Sequence, residues 1–193
     1  QARWPAELLP AYRARKRESL ATAYAQAVVR DYSSSALGAT YTYPADLVAK
    51  LYMNARVSQA LVVLATSPAW RATTSIDLRH RARPVVWNGW IYLCTAGPGI
   101  TGATEPVWPT VQDIAVVDGT VTWRAWQQWT GKFICKDGGQ FVRRIHSPSE
   151  IIQVGMEGAT FVQIQLDRRD ALAAQVDAAA DILSLDSISL DFP

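Results

Sequence analysis

The chain has few of the residues that build metal centres and disulfide frameworks. Among its 193 residues are two cysteines, Cys94 and Cys135, and two histidines, His80 and His146. Two cysteines are too few for a disulfide framework, and neither a CxxC motif nor a His-rich segment accompanies them. The histidines are far apart and have no regularly spaced partner. We therefore predict two buried free thiols, no metal site and no cofactor.

The motifs that mark catalytic machinery are also missing. The sequence contains no GxSxG, HExxH, P-loop or GxGxxG pattern and no serine–histidine–aspartate order typical of a triad. Nothing in it assembles a nucleophile, a base and oxyanion donors. The prediction is a protein that is not an enzyme.

The net charge is low, and long apolar runs are missing as well. A formal charge of +2 is too low for a protein that binds nucleic acid without regard to sequence. No apolar run approaches the roughly 18 residues that a membrane span needs, the longest lying near Leu61–Ala65. The sequence opens at Gln1 without a charged-then-apolar leader, so it gives no export signal. With 49% apolar residues, we expect a soluble protein with a real core and no nucleic-acid or membrane partner.

The charge is unevenly distributed. Residues 1–30 are rich in arginine, whereas residues 147–193 carry eight carboxylates against only Arg168 and Arg169. One interpretation places the basic first helix near the acidic last one, or near that of a neighbouring copy. The alternative is phosphate binding by the RARKR run at residues 13–17.

Helical periodicity dominates the two ends of the chain. A first helix is predicted from about Pro10 to Tyr32, followed by a loop. A second helix ends near Ser67, and its apolar stripe is Leu47, Leu51, Ala55, Ser58 and Val62. Two such helices form a hairpin whose apolar faces require a third partner.

The third helix has the best-defined start. Ser147, Pro148 and Glu150 supply a capping hydroxyl, a first-turn proline and the acidic third position of a capping box. Gly155 and Gly158 are expected to break the run before the helical pattern resumes toward Leu183. The alanine-rich part, residues 171–180, favours close packing, including against other copies of the chain.

Between these helices the sequence changes character. Six of the eight tryptophans lie between Trp87 and Trp129, among apolar runs separated by turn residues. Three hairpin turns are predicted, at Asn88-Gly89, at Asp118-Gly119 and at Asp137-Gly138-Gly139. The first two belong to a Trp-rich β module, and the third is assigned to the helical parent.

The predicted fold class is therefore α+β. A helical frame, consisting of a helical hairpin plus a long C-terminal helix, is interrupted by a small antiparallel β module. The parent domain is discontinuous and comprises residues 1–79 plus 129–193. The inserted Trp-rich module comprises residues 80–128.

The tryptophans have two uses, because a small β module needs aromatic residues for its core while sugars stack on exposed indoles. We predict that Tyr92, Trp108 and Trp123 form the core. The residues expected to be exposed and to bind a glycan, three indoles for stacking and three groups for hydrogen bonding, are Trp87, Trp90, Trp126, Asn88, Glu105 and Arg124.

Two stretches carry a family resemblance. Residues 18–51 and 133–176, with FICKDGGQFVRRIHSPSE at the start of the second, resemble a domain of unknown function in tail-fibre and other tail-associated proteins of tailed bacteriophages and prophages. The run YLCTAGPGITGATEPVWP, closed by DGTVTWRAW, is similar to modules found in phage tail, collar and fibre proteins. Neither family has a catalytic set to transfer.

The resemblance implies a virion protein. It would be a structural component of a tail, collar or fibre, made in the host cytoplasm, with the β module projecting for decoration or for contact with host-surface polysaccharide. Its partners would be other tail or fibre proteins and further copies of itself, a trimer by analogy with fibres. The alternatives are a tail-fibre assembly chaperone and a dedicated carbohydrate-binding adhesin.

Overall fold

A computed structural model describes residues 6–193, which form a mixed α+β fold, 41% helical and 24% strand. The predicted fold class is confirmed. After a 3-10 turn at Ala6–Leu8, the helices are α1 Leu9–Ala27, α2 Leu47–Thr66, α3 Pro148–Ala178 and α4 Ile182–Asp186. The strands are β1 Tyr32–Ser34, β2 Tyr41–Tyr43, β3 Ser75–Ile76, β4 Arg81–Ala82, β5 Trp90–Ala96, β6 Gly99–Ile100, β7 Ala115–Asp118, β8 Val121–Gln128, β9 Lys132–Asp137 and β10 Gln140–Ile145.

The chain divides into two compact units. The first is discontinuous and comprises residues 1–51 and 154–193, and the second is the continuous segment 52–153. These bounds differ from the predicted parent, 1–79 plus 129–193, and from the predicted insert, 80–128. The β9–β10 hairpin lies within the second unit.

The first unit is held together by α1, the C-terminal part of α3, α4 and the final residues. Leu20 and Ala27 of α1 pack with Leu172 of α3 and Phe192 near the C-terminus. A neighbouring cluster joins Val176, Ala179 and Leu185 to partly buried side chains of α1, Leu9 and Tyr12. α1 ends five residues before the predicted Tyr32, because that tyrosine belongs to β1.

Charged contacts link α1 to the acidic end of the same chain. The guanidinium group of Arg17 lies 2.6 Å from a carboxylate oxygen of Asp177, and Arg13 donates to the carbonyl of Ala179 at 2.6 Å. The first interpretation of the charge distribution, with the basic helix beside the acidic one, is confirmed. Because the Arg17–Asp177 pair is solvent-exposed, it contributes little to stability.

α3 continues without a break through both glycines. The prediction that Gly155 and Gly158 interrupt it is wrong. Gly158 instead allows a side chain to pack closely against the helix. A Cβ at this position would lie 2.8 Å from the ring of Tyr32. That ring is buried, stacks on Phe161 with ring centres 6.1 Å apart, and donates from its hydroxyl to the carbonyl of Val154 at 3.2 Å. The missing side chain therefore makes room for an aromatic cluster.

The predicted capping box is confirmed. The backbone N–H of Ser147 donates to the carboxylate of Glu150 at 2.6 Å, and the backbone N–H of Glu150 donates to Oγ of Ser147 at 3.2 Å. This reciprocal pair satisfies two of the donors at a helix N-terminus that lack intrahelical partners.

α2 has the predicted bounds, but the side of the helix that is buried is not the predicted one. Its buried residues are Met53, Ala60 and Val63. The stripe that the sequence predicts to face the core is exposed throughout, and its members are Leu47, Leu51, Ala55, Ser58 and Val62. The helix is apolar on more than one side, so periodicity alone could not select the buried face.

α2 also bears on the expectation about membrane-spanning segments. Its 20 residues are long and apolar enough to cross a membrane by length and composition alone, and 17% of its most apolar window is buried within the protein. The sequence prediction relied on uninterrupted apolar runs. Only two charged residues, Lys50 and Arg56, interrupt this helix, so its average hydropathy stays high.

An antiparallel sheet forms the centre of the second unit, with strand order β4-β5-β8-β7. A separate two-stranded sheet pairs β3 with β6. The predicted hairpins at Asp118-Gly119 and at Asp137-Gly138-Gly139 are confirmed as β7–β8 and β9–β10. At Gly119, φ is +62°, and a Cβ would collide with the carbonyl oxygen of Ile100, so only glycine fits this turn.

The third predicted hairpin does not form. Gly89 has a φ of +90°, but residues 85–87 are not a strand, and β5 pairs instead with β4 through Arg81 and Leu93. The Oδ1 atom of Asn88 accepts from the backbone N–H of Trp90 at 3.0 Å, which satisfies the turn locally. Trp87 and Trp90 are consequently not neighbours across a hairpin.

Candidate functional site

The core of the second unit is aromatic. Tyr92 and Trp123 are fully buried, and the ring of Trp108 lies 4.3 Å from Tyr92 and 5.9 Å from Trp123, centre to centre. This confirms the predicted core trio. Trp90 is only 7% exposed and belongs to the same cluster, so its predicted place on an exposed platform is wrong. Trp90 lies on the same side of β5 as Tyr92 and Cys94, which belong to the same cluster.

A buried carboxylate organises this core. Asp118, 3% exposed, accepts hydrogen bonds from the indole N–H groups of Trp70 and Trp123 at 2.8 and 2.9 Å. Its other oxygen accepts from the backbone N–H of Gly102 at 2.7 Å. Three donors compensate the burial of one charge. Asp118 thus ties its own hairpin turn to two segments distant in sequence.

Two of the predicted polar ligands for a glycan are engaged inside the unit. Asn88 donates from Nδ2 to the hydroxyl of Tyr92 at 2.8 Å. Glu105 accepts, on one oxygen, from the backbone N–H of Val85 and from the indole N–H of Trp108, both at 2.8 Å. These contacts fix loops around the aromatic core, so we assign both side chains a structural role.

Trp87 lies apart from the other predicted indoles. It is half-buried and meets Trp129 edge to face, with ring centres 6.5 Å apart. Trp129 is itself buried and donates from its indole N–H to the carbonyl of His146 at 2.7 Å. Among the described residues, the ring of Trp87 contacts Trp129, whereas the ring of Trp126 contacts Arg81.

The remaining two predicted residues do share a face. β8 turns Val121, Trp123 and Ala125 toward the core, so Arg124 and Trp126, two residues apart, stand on the opposite side of the sheet. Trp126 is 36% exposed, and the guanidinium carbon of Arg81 lies 4.4 Å from its ring centre. This distance is within the range of a cation–π contact.

Sheet register fixes the spacing of this surface. Arg81 of β4 pairs with Leu93 of β5, which pairs with Arg124 of β8. The two arginines are therefore separated by two strand spacings, roughly 9 to 10 Å. We call Arg81, Leu93, Arg124 and Trp126 the outer face of the sheet.

The chemistry of the outer face is that of stacking and anion pairing. An indole offers an apolar surface to the C–H groups of a sugar ring, and guanidinium groups pair with carboxylates in two-pronged hydrogen bonds. The face is suited to holding an anionic ring.

A cavity of about 280 Å³ lies elsewhere in the second unit, with Trp70, Ile76, His80, Thr101 and Trp123 among its lining residues. It is slightly smaller than typical ligand pockets, which start at roughly 300 Å³. The hydroxyl of Thr101 is already bonded to the carbonyl of Arg71 at 2.7 Å. The cavity wall combines polar and apolar side chains.

The two cysteines and His146 are buried within the second unit. Cys94 and Cys135 are free and buried, as predicted, and burial raises the pKa of each thiol. Burial lowers the pKa of His146, whose ring nitrogen lies 2.9 Å from the carbonyl oxygen of Arg144. Within residues 6–193, no group of three or more metal-ligating side chains comes together.

The roles of three residues that shape these sites were not predicted from the sequence. Arg81 reaches Trp126 across the sheet, and Trp70 reaches Asp118 over a separation of 48 residues. No periodicity or motif links the members of either pair. The Asp-Gly turn signal located Asp118 but gave no indication that its carboxylate is buried between indoles.

Comparison with known proteins gives no further guide to the site. No protein-family model, no curated protein and no solved structure matches this chain.

Proposed function

We propose that the chain is a non-enzymatic structural component of a phage or prophage-derived tail, collar or fibre, and that the sheet of its second unit contacts host-surface glycans. Its location would be the virion, after synthesis in the host cytoplasm. The resemblance of residues 18–176 to tail-associated domains supports the tail assignment. The geometry supports the two contact roles separately.

The exposed apolar surface of α2 carries the assembly role. Five of its large apolar side chains are more than half exposed, namely Leu47, Val48, Leu51, Leu61 and Val62. Exposed apolar patches mark interaction sites in proteins. It fits packing against further copies of the chain, with a trimer proposed by analogy, or against other tail and fibre proteins.

The outer face carries the glycan role and narrows its ligand. One partly exposed indole beside two arginines favours a polysaccharide with carboxylate groups over a neutral one. The predicted contribution of Trp126 and Arg124 to glycan contact is kept in this proposal, and Arg81 is added. Trp87, Trp90, Asn88 and Glu105 are left out because of the packing described above.

Binding to an acidic polysaccharide tests this role. We expect the chain to bind alginate more tightly than dextran, and Trp126→Ala to weaken alginate binding about tenfold, equivalent to roughly 1.4 kcal/mol. Arg124→Gln should remove most of the preference for alginate, because the carboxylate loses a cationic partner. Calorimetric titration with both polysaccharides measures these changes.

Trp87→Ala is the matched control, since it removes an indole packed against Trp129 and not on the outer face. It should leave alginate binding within about twofold. Equal binding of alginate and dextran, or equal losses for Trp87→Ala and Trp126→Ala, would contradict the assignment of the outer face.

Two alternatives remain proposals of lower rank. A tail-fibre assembly chaperone would use the exposed surface of α2 transiently and be absent from the finished particle. A dedicated adhesin would keep the glycan role without a structural place in the tail. If the isolated chain binds host polysaccharide but is not incorporated into particles, the adhesin is favoured.

A further inference from the structure

The β9–β10 hairpin presents a second surface, distinct from the outer face. Alternation along the two strands places six side chains on one side, and we call them the hairpin face: Lys132, Ile134, Lys136, Phe141, Arg143 and Ile145. The opposite side of β9 carries Phe133 and Cys135, both buried. The hairpin thus has one packed side and one side open to solvent.

The hairpin face combines exposed apolar groups with positive charge. Phe141 and Ile145 are 63% and 62% exposed, which is unusual for large apolar side chains on a strand. Three cations stand among them, and Nζ of Lys136 lies 4.8 Å from the ring centre of Phe141. All six members are either cationic or apolar.

The backbone of β10 is also open. This strand lies at the end of its sheet, and β9 is its one neighbour among the strands in residues 6–193. Just past the ladder, the N–H of His146 donates to the carbonyl of Gly131 at 2.8 Å. By the two-residue repeat of antiparallel pairing, the N–H and C=O groups of Phe141, Arg143 and Ile145 then point away from β9.

We propose that β10 and the hairpin face form a strand-addition site for an extended segment of a partner protein. In this segment the side chains directed to the hairpin face, at every second position, are alternately apolar and acidic. Such a segment would extend the sheet through the open backbone groups of β10. Its apolar side chains would cover Phe141 and Ile145, and its carboxylates would pair with Arg143 and the two lysines. This proposal concerns a protein contact and does not depend on the glycan role.

Charge complementarity decides against a second copy of the chain as the occupant. If two β10 strands paired antiparallel about their centres, Arg143 would stand opposite itself, and the lysines of both copies would add to the same face. Like charges directly opposite one another destabilise a sheet. The acidic end of the chain is no substitute, because Leu185 and Phe192 within it are already buried in the first unit.

A synthetic peptide provides the test. The probe is an eight-residue peptide, Ser-Val-Thr-Glu-Thr-Val-Thr-Glu, acetylated and amidated, added to the full chain, and its Val and Glu side chains alternate along one face of the extended strand. We expect saturable binding by fluorescence anisotropy. Backbone amide shifts in the spectrum of ¹⁵N-labelled protein should be largest at Phe141, Arg143 and Ile145. The same peptide with alternate amides N-methylated keeps its side chains but should not bind, because strand addition needs its backbone donors.

Charge reversal separates a specific contact from damage to the fold. Arg143→Glu should weaken binding of the acidic peptide by about tenfold or more, because it places like charges next to one another. The matched control, Arg71→Glu, makes the same charge change on an exposed residue outside the hairpin and should bind normally. Lys136→Glu combined with Arg143→Glu should gain affinity for a peptide with lysine in place of glutamate.

Several results would overturn the proposal. Equal binding of the N-methylated peptide would exclude strand addition, and equal losses for Arg143→Glu and Arg71→Glu would show only general charge attraction. Absence of peptide binding, with association to phosphatidylglycerol vesicles that Arg143→Glu abolishes, would assign the hairpin face to a membrane surface instead. Dimers whose spectra show the β10 shifts without peptide would assign it to a second copy.

Discussion

Replacing Trp123 by alanine is expected to destabilise the second unit by roughly 3 to 5 kcal/mol, the usual cost of emptying a buried aromatic site. Trp123 is fully buried, packs against Trp108 and donates its indole N–H to Asp118. The variant loses packing and also leaves the carboxylate with one donor fewer. Urea denaturation followed by circular dichroism measures the change in the free energy of unfolding.

Trp126→Ala is the matched control on the same strand. It removes an indole from the opposite, partly exposed side of β8, so the free energy of unfolding should fall by no more than about 1 kcal/mol. Similar losses for the two variants would mean that the sheet does not have one core side and one solvent side. The assignment of the outer face would then fail.

A second large effect is expected at Asp118. Changing it to leucine keeps a side chain of comparable length but leaves two indole N–H groups and the N–H of Gly102 without their acceptor. Each unsatisfied buried donor costs about 1 to 3 kcal/mol, so we expect a loss of at least about 3 kcal/mol in the free energy of unfolding. Urea denaturation again provides the measurement.

Asp118→Asn tests the reason for that loss. The amide keeps one acceptor oxygen but presents an NH₂ group where a second acceptor stood, so its destabilisation should lie between the wild type and Asp118→Leu. Trp70→Phe should add little to Asp118→Leu, because the indole bond is already broken in that background. Full additivity of the two changes would contradict the shared network.

Features set by neighbours in sequence were predictable. The capping box at Ser147–Glu150 and the hairpin turns at Gly119 and Gly138-Gly139 formed as expected, because their hydrogen bonds and φ angles involve only a few consecutive residues. The Asn88-Gly89 turn residues were read correctly for φ at Gly89, yet no hairpin formed. A turn signal sets a local bend but does not choose the strand that pairs with β5.

Features set by distant contacts were not predictable. The buried side of α2 depends on what surrounds a helix that is apolar on several sides, and the sequence selected the wrong stripe. Gly158 looked like a helix breaker, although its role is to admit the ring of Tyr32 from 126 residues earlier in the chain. In both cases, tertiary packing outweighed a weak local preference.

The candidate site was half predictable for the same reason. Trp123 was predicted for the core and Trp126 for the exposed surface, and the burial pattern along β8 agrees with both predictions. The contact of Arg81 with Trp126 depends on the pairing of β4 with β5, and no sequence motif predicts that pairing. Asn88 and Glu105 have side chains that can bind sugars, but in this structure they form hydrogen bonds with Tyr92 and with the backbone of Val85.

The central claim is that the chain is a structural part of a phage tail, and an inventory of purified particles tests it most directly. Quantitative mass spectrometry should detect the chain in intact, nuclease-treated particles at a fixed ratio to the major tail proteins. That ratio should stay constant through successive density gradients. Presence in the infected-cell lysate but absence from the purified particles would contradict the proposed structural role.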